Sequence, residues 1–269
     1  MRIATWNVNS LNARLPRVEE WLAYAQPDVL CMQETKVADA AFPAMAFSAL
    51  GYETASHGDG RWNGVAIASR VGLRDVTAGF GGPDDDHADV TSAHGTSDDR
   101  GARLVAATCG GVRVHSVYVP NGRSVGSEHY AAKLAWLEDL RGYLERTCAP
   151  GDDVAVCGDF NVAPEDRDVW DRAAMEGSTH VTEPERAALA AVEAWGLTDA
   201  FRLCYQQDQL FTWWDYRAGN FHKHMGLRID LVLVSKSLAE RVSGALVDRN
   251  ARKGKQPSDH APVLVDIDR

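Results

Sequence analysis

The sequence predicts an α/β fold with partly antiparallel sheets, and three observations lead there. Short apolar runs of strand length alternate with segments of helical periodicity along the 269-residue chain. Two runs are joined by a hairpin signal, Cys109-Gly110-Gly111-Val112, which a purely parallel sheet does not contain. No Pro/Ser-rich linker, repeat or low-complexity stretch divides the chain, so one domain is expected, although the length would also admit two small ones. With 45% hydrophobic residues, a sizeable core can be filled.

Residues 3–8 read as the first strand. Residues 15–24 read as an amphipathic helix, with Leu15, Val18, Trp21 and Leu22 on one face. The run at 28–32, DVLCM, is continuously apolar after its first residue, as a buried strand is. Strands follow at 65–68, 104–108 and 112–119. Between Gly79 and Gly101 the chain is rich in Gly, Asp and Ser and reads as a mobile loop. Residues 130–144 form a helix that carries Leu134, Leu137, Leu140 and Leu144 at helical spacing. Further strands are expected at 154–157, 229–234, 242–247 and 262–267.

Acidic residues outnumber basic ones by 38 to 28, for a net charge of −10. That total speaks against a nucleic-acid partner, because phosphate neutralisation by Lys and Arg dominates such affinity. The distribution of charge answers it. Asp84, Asp85, Asp86, Asp89, Asp98 and Asp99 concentrate acid in the 79–101 stretch, away from every motif below. Arg249, Arg252, Lys253 and Lys255 form a basic run, and Arg217, His222, Lys223, His224 and Arg228 form a second. Each run alone reads as solvated surface, yet a local basic field guides a polyanion whatever the total charge. The five cysteines are odd in number and widely spaced, without a CxxC pair, and Cys31, Cys109 and Cys157 read as buried thiols. The N-terminus shows no hydrophobic signal segment and no run reaches membrane-span length, so a reducing cytoplasmic setting is expected.

Polar residues able to bind metal or phosphate recur just after the strands, where an α/β sheet gathers its ligands. Five places qualify: Asn7 with Asn9; Glu34 with Lys36; Tyr118 with Asn121; Asp159 with Asn161; and Asp259-His260. Asp230 lies just inside a sixth strand. Glu34 is a candidate for a hard cation, which prefers oxygen donors, although taken alone it reads rather as an exposed glutamate. Gly158-Asp159-Phe160-Asn161 suits a carboxylate that takes a proton from water beside an amide that holds the nucleophile; as a bare tetrapeptide it also suits a turn. His260 can donate to phosphate once its other nitrogen is fixed, and Asp230, costly to bury unpaired, is the carboxylate nominated for that.

In order along the chain stand Trp6-Asn7-Val8-Asn9, Gln33-Glu34-Thr35-Lys36, Asn63-Gly64-Val65-Ala66-Ile67, Tyr118-Val119-Pro120-Asn121-Gly122, Gly158-Asp159-Phe160-Asn161, Gly226-Leu227-Arg228-Ile229-Asp230-Leu231 and Ser258-Asp259-His260-Ala261-Pro262. Together, from about residue 1 to 268, they resemble the exonuclease III branch of the endonuclease/exonuclease/phosphatase superfamily. The segment Phe211-Thr212-Trp213-Trp214-Asp215-Tyr216-Arg217 is similar to the bacterial members in particular.

The resemblance implies a four-layer α/β sandwich, two mixed β-sheets packed face to face with helices outside. It implies a monomeric, magnesium-dependent nuclease, with manganese the alternative metal, acting on double-stranded DNA with abasic sites or blocked 3′ ends. It would cut 5′ of abasic sites, leaving a 3′-hydroxyl and a 5′ deoxyribose phosphate, and would also act as a 3′→5′ exonuclease and clean 3′ ends. By the same resemblance Glu34 holds the metal with Asn7 and Asp259 nearby, Asp159 and Asn161 are further candidate ligands, and Lys36 sits beside them within reach of substrate. Asp159 orients or deprotonates the attacking water with Asn161, and His260, held by Asp230, contacts the scissile phosphate together with Tyr118 and Asn121. Trp213, Leu227 and Ile229 match the lining of a pocket for a base-free sugar, cheap to flip because nothing need unstack, with Arg228 among them. Read as residues alone, Trp213 and Trp214 are also plain core aromatics, and core packing is the expectation for Trp214. Asn9 stands where some members carry an acid, so a second tight metal site is not implied. Two rival functions keep part of this picture: a phosphatase of the same superfamily acting on inositol phosphates or lipids, and a DNA-binding module without catalysis.

Overall fold

The computed structural model describes residues 1–81 and 101–268. The acid-rich part of the 79–101 loop lies outside the described residues. Twelve strands are described: β1 (Arg2–Asn7), β2 (Val29–Gln33), β3 (Glu53–His57), β4 (Val65–Ser69), β5 (Arg74–Ala78), β6 (Leu104–Cys109), β7 (Val112–Tyr118), β8 (Val154–Asp159), β9 (Leu197–Asp199), β10 (Asp230–Ser235), β11 (Val242–Val247) and β12 (Val263–Ile267). They form two six-stranded sheets, ordered β11-β12-β1-β2-β4-β3 and β5-β6-β7-β8-β10-β9. Each sheet is mixed, with one parallel pair, β1 with β2 and β7 with β8, among antiparallel neighbours. Cys109 pairs with Val112 across the expected hairpin.

Alternation along the strands explains why the sheets stack. In β1, Ile3 faces the second sheet while Ala4 and Trp6 face outward; in β8, Ala155 and Cys157 face inward while Val154 and Val156 face outward. The inward set, with Val29, Val65, Val114, Val232 and Val234, makes the inter-sheet core. The helix α1 (Leu11–Ala25) covers the first sheet's outer face through Val18, Trp21 and Leu22. On the second sheet's outer face lie α2 (Glu128–Thr147) and α3 (Glu183–Glu193), through Trp136, Leu137, Leu140, Leu189 and Val192. The layers therefore run helix, sheet, sheet, helix. Strands buried on both faces need apolar side chains at every position, which accounts for the uninterrupted apolar runs. Cys31, Cys109 and Cys157 are buried thiols within the inter-sheet core, and Trp214 is fully buried.

Helix α1 starts at Leu11, four residues before the expected start, and carries Pro16 inside it. Tertiary anchoring overrides the local signal: the Ser10 and Leu11 amides donate to the carbonyls of Glu34 and Thr35 at 2.7 and 2.9 Å, and Leu11 is fully buried. No helix among the described residues is long and apolar enough to cross a membrane.

Candidate active site

Inward-facing residues near the site end of the strands are polar, and this builds a rim between the sheets. Asn7 and Gln33 close β1 and β2 side by side, and Tyr118, Asp159 and Asp230 stand in register across β7, β8 and β10. A hydrogen-bonded layer lies among them, in which Thr5 donates to Gln33 at 3.2 Å and Gln33 donates to Ser116 at 3.1 Å. The sheets are thus linked by satisfied polar groups where the apolar core ends.

Glu34 follows β2 with a left-handed backbone (φ 49°) and turns into the rim. The Asn7 amide bridges the sheets, donating from Nδ2 to Glu34 at 2.8 Å and to Asp159 at 2.9 Å. Lys36 pairs with the other Glu34 oxygen at 2.8 Å and donates to Asn9 at 2.8 Å. Asp159 accepts the backbone N–H of Asn161 at 2.9 Å, a turn that sends Asn161 off the strand toward Asn121, whose amide donates to it at 3.3 Å. His260 is held through Nδ1 by both Asp230 oxygens, at 3.1 and 2.9 Å, leaving Nε2 3.8 Å from Asp159 Oδ2. That gap is too wide for a hydrogen bond and leaves space for an oxygen atom shared by the two.

The electrostatics follow from burial. Burial pushes the Asp159 carboxyl up to about 7, opposed by the positive His260 and the Asn7 amide and reinforced by Asp230 and Glu34. Burial works against a charged His260, but the Asp230 and Asp159 carboxylates outweigh it and raise its pKa to about 10. Burial, with Glu34 nearby, holds the Tyr118 hydroxyl well above its usual range, so it remains a donor. Oxygens of Glu34 and Asp159 and a nitrogen of His260 lie within 4.8 Å of one another. Three carboxylates around one imidazole leave excess negative charge, and the oxygen-rich donor set suits a hard divalent cation such as magnesium.

The profile of the Endonuclease/Exonuclease/phosphatase family matches residues 4–260. The chain belongs to this family. It is 33% identical over 279 residues to the exodeoxyribonuclease III of Haemophilus influenzae, covering 99% of this chain and 100% of that one. Among solved structures, an AP endonuclease from Archaeoglobus fulgidus superposes with a TM-score of 0.91 at 36% identity, and the 3′-5′ exonuclease NExo of Neisseria meningitidis with 0.89 at 37%. A Neisseria 3′ phosphatase bound to a product DNA hairpin superposes with 0.90 at 38% identity. Each comparison covers all of both chains. The two stacked mixed sheets are the fold these family members share.

Not every expected residue reaches the rim. Asp259 is held apart, its oxygens accepting from Asn9 Nδ2 and Trp213 Nε1 at 3.0 Å each. The Asn7 Oδ1 accepts the Asn9 N–H at 3.0 Å, while its Nδ2 is bonded to Glu34 and Asp159. Arg228 is 1% exposed and bonded to Asp168 and Asp199 in a buried ion cluster, so its guanidinium does not reach the rim. Leu227 and Ile229 are 1% and 2% exposed, packed with Ala163, Val169 and Val181, and only Trp213 of the expected pocket reaches solvent.

Three residues absent from the sequence reading support the site. Lys133, fully buried, donates to the carbonyl oxygens of Asn161 at 2.6 Å and Asn121 at 3.3 Å and pairs with buried Glu185. His180 packs beside Trp213, ring centroids 6.5 Å apart, and its Nδ1 meets the Asn161 carbonyl. The sequence does carry a signal for Glu185: Thr182 and Glu185 have capping-box spacing, and both reciprocal bonds form at the start of α3.

Proposed function

We propose that this chain is a divalent-metal-dependent DNA repair nuclease that hydrolyses phosphoester bonds at 3′ ends and on the 5′ side of abasic sites in duplex DNA. The observation that carries this reading is the 3.8 Å gap between His260 Nε2 and Asp159 Oδ2, rimmed by Glu34, Tyr118 and Asn161. Catalysis of phosphoryl transfer is mainly positioning and charge stabilisation. Asp159, aimed by the Asn161 amide N–H, accepts the proton of the attacking water. His260, whose Nδ1 is occupied by Asp230, presents Nε2–H to a phosphoryl oxygen, which makes it the donor and Asp159 the base. Tyr118 and Asn121 hold the remaining phosphate oxygens. Glu34, with Asp159 in reach, would hold magnesium or manganese, which supplies Lewis-acid stabilisation of the developing charge.

One further observation bears on substrate. Leu227 and Ile229 are buried and His180 lies against Trp213, so Trp213 alone of the expected sugar pocket is partly open to solvent, whereas a terminal 3′ phosphate needs no such pocket. An abasic sugar must instead find its place against Trp213. Work at 3′ ends is therefore the primary activity in this reading and abasic incision the secondary one. All the groups named come from one chain, which fits action as a monomer, and free cysteines fit a reducing cytoplasm.

The test compares two duplexes, one nicked with a 3′ phosphate and one with a single abasic analogue, in magnesium and in EDTA. Both are expected to react in magnesium and neither in EDTA, with the 3′ phosphate released faster. Tight binding without hydrolysis would favour a non-catalytic module, and phosphate release from inositol phosphates but not DNA would favour the rival phosphatase.

A further inference from the structure

The two basic runs, far apart in sequence, meet around one cavity of about 390 Å³. His222 comes from one run, Arg252 and Lys253 from the other, and Tyr216 and Phe221 supply aromatic walls. Arg252 is the telling residue. It is 7% exposed and makes no ion pair among the described residues. Its guanidinium lies over Phe221 at 4.8 Å, Tyr216 at 5.5 Å and Trp214 at 5.9 Å, donates to the Ser258 carbonyl, and leaves Nε without a hydrogen-bond partner. A buried cation resting on aromatic faces, without a carboxylate bonded to it, is stabilised only in part. Asp215, the acid on the cavity wall, is paired with Arg217, and Asp259 is committed to Asn9 and Trp213.

We propose that this cavity is a phosphate-binding subsite that takes a backbone phosphate of the substrate DNA, outside the catalytic rim. The proposal rests on the nuclease reading and specifies how the strand is held. A backbone phosphate is favoured over a free anion by position: Tyr216 follows Trp213 by three residues and Pro257 precedes His260 by three. At ~3.3–3.6 Å of reach per residue the cavity wall is at most about 11 Å of chain from the site. One strand rises about 3.4 Å per phosphate, so the phosphate taken lies within roughly three nucleotides of the scissile one.

The experiment measures duplex binding against salt for the wild type, Lys253→Gln and Arg252→Lys, with neutral methylphosphonates placed singly along the strand. Lys253 is exposed, so its variant folds even if the Arg252 variant does not. Lys253→Gln is expected to reduce the slope of log K against log salt by about 0.9, the value of one phosphate contact. One methylphosphonate within three nucleotides of the scissile position should cause the same reduction in the wild type and none further in Lys253→Gln. Additive losses at every position would overturn the proposal, and so would an unchanged slope in Lys253→Gln. A chain that fails to cleave at all would instead sink the nuclease reading, so the two failures are told apart.

Discussion

Replacing Asp159 with Asn is expected to abolish hydrolysis while leaving the affinity for DNA intact. The substitution keeps the shape of the side chain and removes its ability to take a proton. General-base groups typically contribute ~10²–10⁴-fold, so a variant retaining more than about a tenth of wild-type turnover would show that Asp159 is not the base. Binding should hold or strengthen, because the change removes a negative charge from the rim proposed to take the phosphate. Thermal stability should fall only by the one hydrogen bond that the amide cannot accept from Asn7. Burial has already pushed this carboxyl up to about 7, so the fold gains little from its charged form. His260→Ala should lose turnover on the same scale for another reason, the missing donor to the phosphate. It also strands Asp230, whose two oxygens both face the imidazole, so its melting temperature should drop further than that of Asp159→Asn.

The second large effect concerns stability. Lys133 and Glu185 have fully buried side chains paired with each other, and Glu185 also accepts from Thr179, the His180 amide and Thr182. Removing one partner of a buried pair leaves a charge without compensation, at a cost of about 3–5 kcal/mol. Lys133→Met and Glu185→Gln should each lose stability on that scale in denaturant unfolding, and the double variant should lose less than the sum. Strict additivity would mean that the two do not interact. The pH dependence has a definite sign. Although burial alone would raise it, Lys133 and the surrounding donors hold the Glu185 carboxyl down at about 2. A carboxyl depressed in the folded state adds stability above its unfolded value near 4.5, and that contribution is lost as pH falls from there toward 2. Glu185→Gln should flatten stability over this window. Because Lys133 holds the carbonyls of Asn121 and Asn161, both single variants should also lower turnover more than they weaken binding.

How much of this was legible in the sequence depends on where each residue lies. Strands buried on both faces, such as β2, β8 and β10, are continuous apolar runs and were readable to within two residues. The outer strands β3 and β5 were missed, because an edge strand facing solvent has no apolar run to show; every residue of β5 is exposed. The residues that meet at the rim were readable because polar residues that close apolar strands stand out against them. Lys133 and His180 were not, since a lysine inside a leucine-rich helix looks like any solvated one until the tertiary fold buries it, and Glu185 shows only through its capping-box spacing from Thr182. Arg228 erred in the opposite direction. Its motif suggested contact with substrate, but only the packing of Asp168 and Asp199 from elsewhere in the chain shows where its charge is met.

The most direct test is the stoichiometry of manganese(II) binding, read by electron paramagnetic resonance on the wild type and on Glu34→Gln. If carboxylates from the two facing sheets share one divalent ion, the wild type binds a single tight manganese per chain and Glu34→Gln loses it together with hydrolysis. Unchanged tight binding in Glu34→Gln would place the metal somewhere other than this rim and contradict the account.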